Sequence, residues 1–157
     1  MMTLRSTRRT LASTLAAAGI LMGMALAGAA QAGECPADKM KSGAMAPSDA
    51  AAVGVTDTVL ATLDVHDQIA TVHGYELRTR MLEIQPGGIV PFHSHADRPA
   101  LIYVVTGEVT EFRSNCEVPI VHQAGEISVE SMDVEHWWQN SGDTVVQLLS
   151  SDIVPVE

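Results

Sequence analysis

Short runs of apolar and β-branched residues recur along the last two thirds of the chain, and helical periodicity is hard to find there. Turn sequences rich in glycine, proline or asparagine separate these runs at 86–88, 106–107, 124–125 and 140–143. The runs predict seven strands, at 58–65, 75–84, 101–105, 109–113, 118–122, 126–130 and 144–153. This spacing favours an all-β antiparallel sandwich or barrel over alternating strands and helices.

The first 32 residues have a pattern that is typical of an export signal. Arg5, Arg8 and Arg9 come first, residues 11–29 follow without a charge, and an Ala-x-Ala cleavage sequence ends at Ala32. We expect cleavage after Ala32 and a periplasmic or secreted protein with no stable membrane anchor. An uncleaved membrane-spanning anchor is the alternative. The paired arginines at 8 and 9 also resemble the twin-arginine signal of bacteria, which would imply export after folding.

Two further segments complete the expected organisation. Residues 33–55 are rich in small and polar side chains and lack a hydrophobic period, which predicts a linker or a loose N-terminal arm. Residues 56–157 are expected to form one domain of about 100 residues, a usual domain size.

The charge of the chain limits its partners. The sequence has 19 acidic and 9 basic residues, a formal net charge of -10. Without the three arginines of the first 32 residues, 6 basic and 19 acidic residues remain, a net charge of -13. Such a surface repels phosphate groups, which argues against nucleic acid and anionic lipid as partners. A small-molecule ligand or substrate, a cation or another protein remains open, and so does a homodimer.

Three histidines are candidate metal ligands. His93 and His95 are two residues apart, so on a strand both imidazoles would face the same side. His136 lies in a later strand-like segment. A neutral imidazole offers a lone pair at physiological pH, which makes histidine the commonest metal ligand. The pair alone is a weak signal, and solvated or core histidines explain it about equally well.

The residues around the first two histidines strengthen the metal interpretation. Gly87, His93, His95 and Gly107 resemble the first motif of the cupin superfamily, G-x5-H-x-H-x3or4-E-x6-G. Ala100 stands where the motif has its glutamate. That glutamate usually completes the ligand set, and alanine cannot bind a metal.

A second resemblance follows at the distance expected for a small cupin. Gly125, His136 and Asn140 match three positions of the second cupin motif, G-x5-P-x-G-x2-H-x3-N. Ser131 and Asp133 replace its proline and glycine, which shape a turn. The chain therefore resembles a small single-domain cupin over most of residues 56–157.

The resemblance implies a double-stranded β-helix, a jelly-roll barrel, with one divalent transition metal bound inside one end. His93, His95 and His136 would be its ligands. Three neutral imidazoles leave at least one coordination position open for water or an anionic substrate. Either Glu83 or Glu111 could replace the missing carboxylate, although spacing favours neither. Iron, manganese, copper, zinc and nickel remain candidates.

Two classes of function fit this picture. By analogy with thiol and diketone dioxygenases, which are three-histidine cupins, the resemblance implies an oxygenase-type oxidoreductase acting on a small organic molecule. The alternative is a non-catalytic module that binds a metal or a small ligand. Arg98 and Trp138 are the candidate pocket residues, although an exposed arginine and a packing tryptophan explain them as well. No catalytic residue is assigned.

For the other three histidines and the two cysteines, the sequence predicts structural features and no role in a site. His66, His73 and His122 are expected to be exposed and receive no role. Cys35 and Cys116 are the only cysteines, and an even count in an exported chain favours one disulfide between them. Two free thiols are the alternative.

Overall fold

A computed structural model describes residues 33–156, so the export signal predicted for residues 1–32 lies outside the described part. A 3-10 turn at Ala37–Lys39 precedes eight strands. The strands are β1 (Val53–Asp64), β2 (Tyr75–Ser94), β3 (Ala100–Thr106), β4 (Glu108–Arg113), β5 (Ile120–Gln123), β6 (Ile127–Glu130), β7 (Glu135–Gln139) and β8 (Val146–Pro155). The all-β prediction is confirmed.

The strands form a nearly closed antiparallel barrel. Their order is β5-β4-β7-β2-β8-β3-β6, and β1 pairs with β2 outside this path. Apolar side chains alternate with exposed ones and fill the interior with the cluster Ile84, Ala100, Ile102, Val104, Val109, Trp138, Val146 and Leu148. Among the described residues, no helix is long and apolar enough to cross a membrane.

Strand β2 differs from its prediction because it does not stop at the sequence Pro86-Gly87-Gly88. Its first part pairs with β8 as far as Ile84, and its last part pairs with β7 from Ile89 onward. Glycines occupy the bend because Gly87 has φ +75°, and a Cβ on Gly88 would lie 2.7 Å from a backbone oxygen. The change of partner places His93 opposite His136 in the register with β7.

The segment before β1 is attached to the barrel. The predicted disulfide joins Cys35 to Cys116, with 5.8 Å between their Cα atoms, so the free-thiol alternative is wrong. Met40 also forms a β-bridge with Cys116. The backbone nitrogen of Lys41 donates to the carbonyl of Asn115 at 2.9 Å. These contacts hold the start of the described chain against the connection between β4 and β5.

Candidate metal centre and pocket

The structure brings His93, His95 and His136 to one point. The Nε2 atom of His93 lies 3.1 Å from Nε2 of His95 and 3.2 Å from Nε2 of His136. The three ligand atoms all lie within 4.8 Å of one another. A transition metal with ligand distances of about 2.0–2.1 Å separates two ligands by about 2.9 Å at right angles and by about 3.3 Å in tetrahedral geometry, so the spacing fits one ion.

The second nitrogen of each ring fixes the direction of its lone pair. Nδ1 of His93 lies 2.9 Å from the carbonyl oxygen of Pro91, and Nδ1 of His95 lies 2.7 Å from that of Arg98. A carbonyl only accepts, so each Nδ1 carries the proton and donates. Nδ1 of His136 lies 2.5 Å from Oε1 of Glu111 and donates in the same way. All three Nε2 lone pairs are therefore free to bind a cation.

Burial keeps two of these rings neutral. It lowers the pKa of His93 to about 4, helped by the neighbouring His136. Burial also lowers the pKa of His95 to about 3, again helped by His136. Both imidazoles are therefore neutral near pH 7, which is the form that binds a metal.

A buried polar network lies behind His136, on its Nδ1 side. We call it the rear network; its members are Glu111, Arg113, His122, Ser128 and Glu130, each no more than 3% exposed. Glu111 accepts from His122 Nε2 at 2.8 Å and from two nitrogens of Arg113 at 2.8 and 3.0 Å. The expectation that His122 is exposed is therefore wrong, because β5 pairs with β4 and places this ring against Glu111.

The two carboxyl groups of the rear network differ in protonation. Burial opposes ionisation of Glu111, but hydrogen bonds from His122 and His136 outweigh it and hold its pKa well below the usual range. Burial and the charge of Glu111 raise the pKa of Glu130 to about 7. Arg113 lies between these acids and also bonds to Glu34 of the N-terminal segment, at 2.8 Å. The network thus contains one firmly ionised carboxylate, which faces His136.

Neither carboxylate suggested from the sequence replaces the missing ligand. Glu111 contacts His136 on Nδ1, the side away from the point where the three Nε2 atoms meet. Glu83 accepts a hydrogen bond from Gln147 at 2.9 Å and does not line the cavity. Ala100, at the motif's glutamate position, is buried directly opposite Glu130 in β6 and Asp152 in β8. A carboxylate there would stand between two others.

A cavity of about 350 Å³ lies on the Nε2 side of the histidines. Trp138 is one of its lining residues, is 3% exposed, and packs edge-on against His136 with ring centroids 5.5 Å apart. Trp137, as its position in the strand predicts, points elsewhere and stacks on Phe112. The other apolar lining side chains include Val55, Leu82, Val90, Ile102 and Leu148.

Arginines form much of the polar wall of this cavity, and only Arg98 among them is predicted from the sequence. Arg98 and Arg80 both line it. Both approach the buried carboxylate of Asp152, Arg80 at 3.2 Å and Arg98 at 3.5 Å, and Arg78 holds the same group from outside the lining at 2.9 Å. Burial would raise the pKa of Asp152, but the Arg78 hydrogen bond and the arginine charges lower it below its usual range.

Comparison with known proteins supports the fold. Residues 80–152 match the family model of the cupin domain. The auxin-binding protein ABP19b of Prunus persica is 31% identical over 80 residues, which are 49% of this chain and 38% of that protein. The match thus spans well under half the length of that curated relative.

Two solved structures resemble the chain in fold. The cupin domain of Schizosaccharomyces pombe Cnp3 gives a TM-score of 0.52 at 8% identity, covering 69% of this chain and 67% of that one. An uncharacterized Klebsiella pneumoniae protein with a double-stranded β-helix domain gives 0.50 at 17% identity, covering 72% and 90%. With the family match, they show that this chain contains a cupin domain with the double-stranded β-helix fold.

Proposed function

We propose that the protein is an exported, metal-dependent cupin of the oxygenase type, which oxidises a small organic molecule. The observation that carries this proposal is the convergence of three Nε2 lone pairs, from His93, His95 and His136, beside a cavity of about 350 Å³. Cavities of this size hold small organic ligands. The resident ion would be one divalent transition metal, from among iron, manganese, copper, zinc and nickel.

Different residues of the chain would hold the metal and surround the ligand in such a site. A bound metal would supply Lewis acidity and, where it is redox-active, electron transfer with dioxygen. The three imidazoles hold the ion from one side, since each Nδ1 is fixed by a hydrogen bond. Trp138 and the apolar lining would limit the water around a bound ligand, which would strengthen electrostatic interactions inside the cavity.

Metal analysis tests the histidine centre. We expect elemental analysis of protein purified from its own compartment to find one ion per chain, and His93→Ala to lose it. His93 is the sharper choice because replacing His136 also deprives Glu111 of a partner. His66→Ala is the matched control, since His66 is exposed and lies outside the cavity lining. Equal metal content in wild type and His93→Ala would overturn the proposal.

One observation favours the second candidate, a non-catalytic binding module. Among the described residues lining the cavity, the only carboxylate is that of Asp57, and it is ion-paired with Arg80. The site therefore lacks a free carboxylate for proton transfer. Dioxygen uptake with a panel of small thiols and diketones separates the two functions. Uptake that depends on His93 supports the enzyme, whereas saturable ligand binding without uptake supports the module.

Export is part of the same proposal. The N-terminal pattern supports it, and a disulfide is typical of proteins in oxidising compartments. N-terminal sequencing of the exported protein is expected to begin at Gly33. Replacing Arg8 and Arg9 by lysine should block export by the twin-arginine route, and normal export of that variant would indicate the general secretory route. An intact chain embedded in the membrane would contradict cleavage.

A further inference from the structure

We infer that the cavity binds a small organic carboxylate whose charged group is received by Arg98 and whose apolar part contacts the opposite wall. This inference rests on the proposed function, because it names the ligand class of the same cavity. Four independent features of the site lead to it: its charge, the free donors of Arg98, the apolar lining and the limited volume.

The charge around the cavity is positive although the chain as a whole is acidic. Arg80 and Arg98 line the cavity, and among the residues that the structure describes Asp57 is the only acid that does so. Behind them, Asp152 serves as the shared partner of both arginines and of Arg78. Asp97 directly precedes Arg98 in the sequence but is exposed and does not line the cavity. An anion would balance this wall in a protein whose net charge is -10.

Arg98 has the donors to receive that anion. A guanidinium carries five N–H donors. Within residues 33–156, the only side-chain hydrogen bond of Arg98 runs from Nη1 to Asp152 at 3.5 Å, the longest of the three arginine contacts with that acid. The planar guanidinium matches a carboxylate through two parallel hydrogen bonds.

The rest of the cavity selects an organic ligand over an inorganic anion. Most of the remaining wall is apolar, including Leu82, Val90, Ile102 and Leu148. Burying these side chains against a ligand is favourable only where the ligand group is apolar. A volume of about 350 Å³ limits that group to a short aliphatic chain or one ring.

Calorimetry with 4-methylpentanoate, its uncharged amide and inorganic phosphate tests the inference. We expect the carboxylate to bind at least tenfold more tightly than either the amide or phosphate. Arg98→Gln should lose at least tenfold in carboxylate affinity and little in amide affinity, while Arg98→Lys should retain part of it. Arg78→Gln is the matched control, because it removes the same charge from the same acid outside the cavity lining.

Titrations on a second variant separate a failure of carboxylate binding from a failure of metal binding. The titrations are repeated on His93→Ala protein, in which the arginine wall is intact but the histidine centre is not. Carboxylate selectivity that persists there supports the arginine site whatever the metal analysis shows. Equal affinity for acid and amide, stronger binding of phosphate, or an equal loss in Arg78→Gln and Arg98→Gln would overturn the inference. Melting curves of each variant confirm that it is folded.

Discussion

The two nitrogens of the His136 ring face different surroundings. On the Nε2 side lies a cavity with apolar walls, two arginines and three free lone pairs. On the Nδ1 side the rear network has no more than 3% exposure in any member, and most of its polar atoms are hydrogen-bonded. The rear network therefore holds the His136 ring through Nδ1 and leaves Nε2 unpaired on the side of the cavity.

The start of the described chain, at Glu34, covers the rear network. Glu34 accepts hydrogen bonds from Arg113 at 2.8 Å and from the backbone of Val129 at 3.1 Å. The disulfide of Cys35 lies next to it in sequence and anchors it to Cys116. Covering the network from outside keeps water away from the buried charges, which strengthens their mutual interaction.

Removing the central acid of the rear network should have the largest effect. Glu111→Leu leaves Arg113 with fewer partners and His122 without its acceptor, all in a buried setting. It leaves His136 Nδ1 with only the more distant carboxylate of Glu130, at 3.3 Å. Breaking a buried ion pair in this way costs about 3–5 kcal/mol in unfolding free energy. Urea unfolding measures the loss.

The same position also tests the orientation of His136. Glu111→Gln retains an acceptor oxygen but not the charge, so we expect a smaller loss of stability and metal affinity lower by about 10- to 100-fold. The matched control is Glu83→Gln, since Glu83 lies outside the network and bonds Gln147. Unchanged metal affinity in Glu111→Gln would mean that the rear network does not influence the binding of a metal by His136.

The disulfide should contribute to stability and little to the metal centre. It closes a loop with a sequence separation of 81 residues, which corresponds to about 4 kcal/mol in the chain-entropy model, less any strain. We expect Cys35→Ala with Cys116→Ala to lose up to that amount in urea unfolding, and metal affinity to change less than threefold. A large loss of metal affinity would show that covering by the N-terminal segment, rather than Glu111, orients His136.

Much of this comparison lies beyond what sequence patterns predict. The strand cores, the three histidines and the disulfide follow from alternation, motif spacing and cysteine count. Glu111 and Arg113 share strand parity with buried Val109, a signal that they face the interior, but only pairing with β5 and β7 shows their partners. Likewise, Arg78 meets Asp152 through the register of β2 with β8, over a sequence separation of 74 residues.

A carboxylate at the motif position of Ala100 should change the stability of the metal-free protein, and a bound metal should act in the opposite direction. Ala100→Glu would place a third buried carboxylate opposite Glu130 and Asp152, and like charges at directly opposite positions are destabilising. We expect the metal-free variant to lose about 1–3 kcal/mol and a bound metal to recover part of it. Ala100→Gln, with similar volume and no charge, is the control. Equal losses in both variants would assign the effect to crowding instead of charge.

The smallest expected effect is that of mild acid on metal binding. Protons compete with a metal only below the pKa of the metal-free imidazole, and burial lowers this pKa from 6.5 to about 4 in His93 and about 3 in His95. Metal affinity should therefore change less than threefold between pH 8 and pH 5 through these two ligands, and fall steeply below about pH 4. Histidines with an unshifted pKa of about 6.5 would already lose affinity below that pH.

A pH titration of metal affinity by competition with a chelator of known proton dependence measures this profile. In metal-free protein the same shifts act on folding. The unfolded chain takes up protons at His93 and His95 below pH 6.5 and the folded chain does not, so their contribution to stability falls as the pH drops from 6.5 towards 4. Metal loss centred near pH 6.5 in protein that is still folded would mean that the front of the site is as open to water as the surface. The contrast between the two sides of His136 would then not extend to the other two ligands.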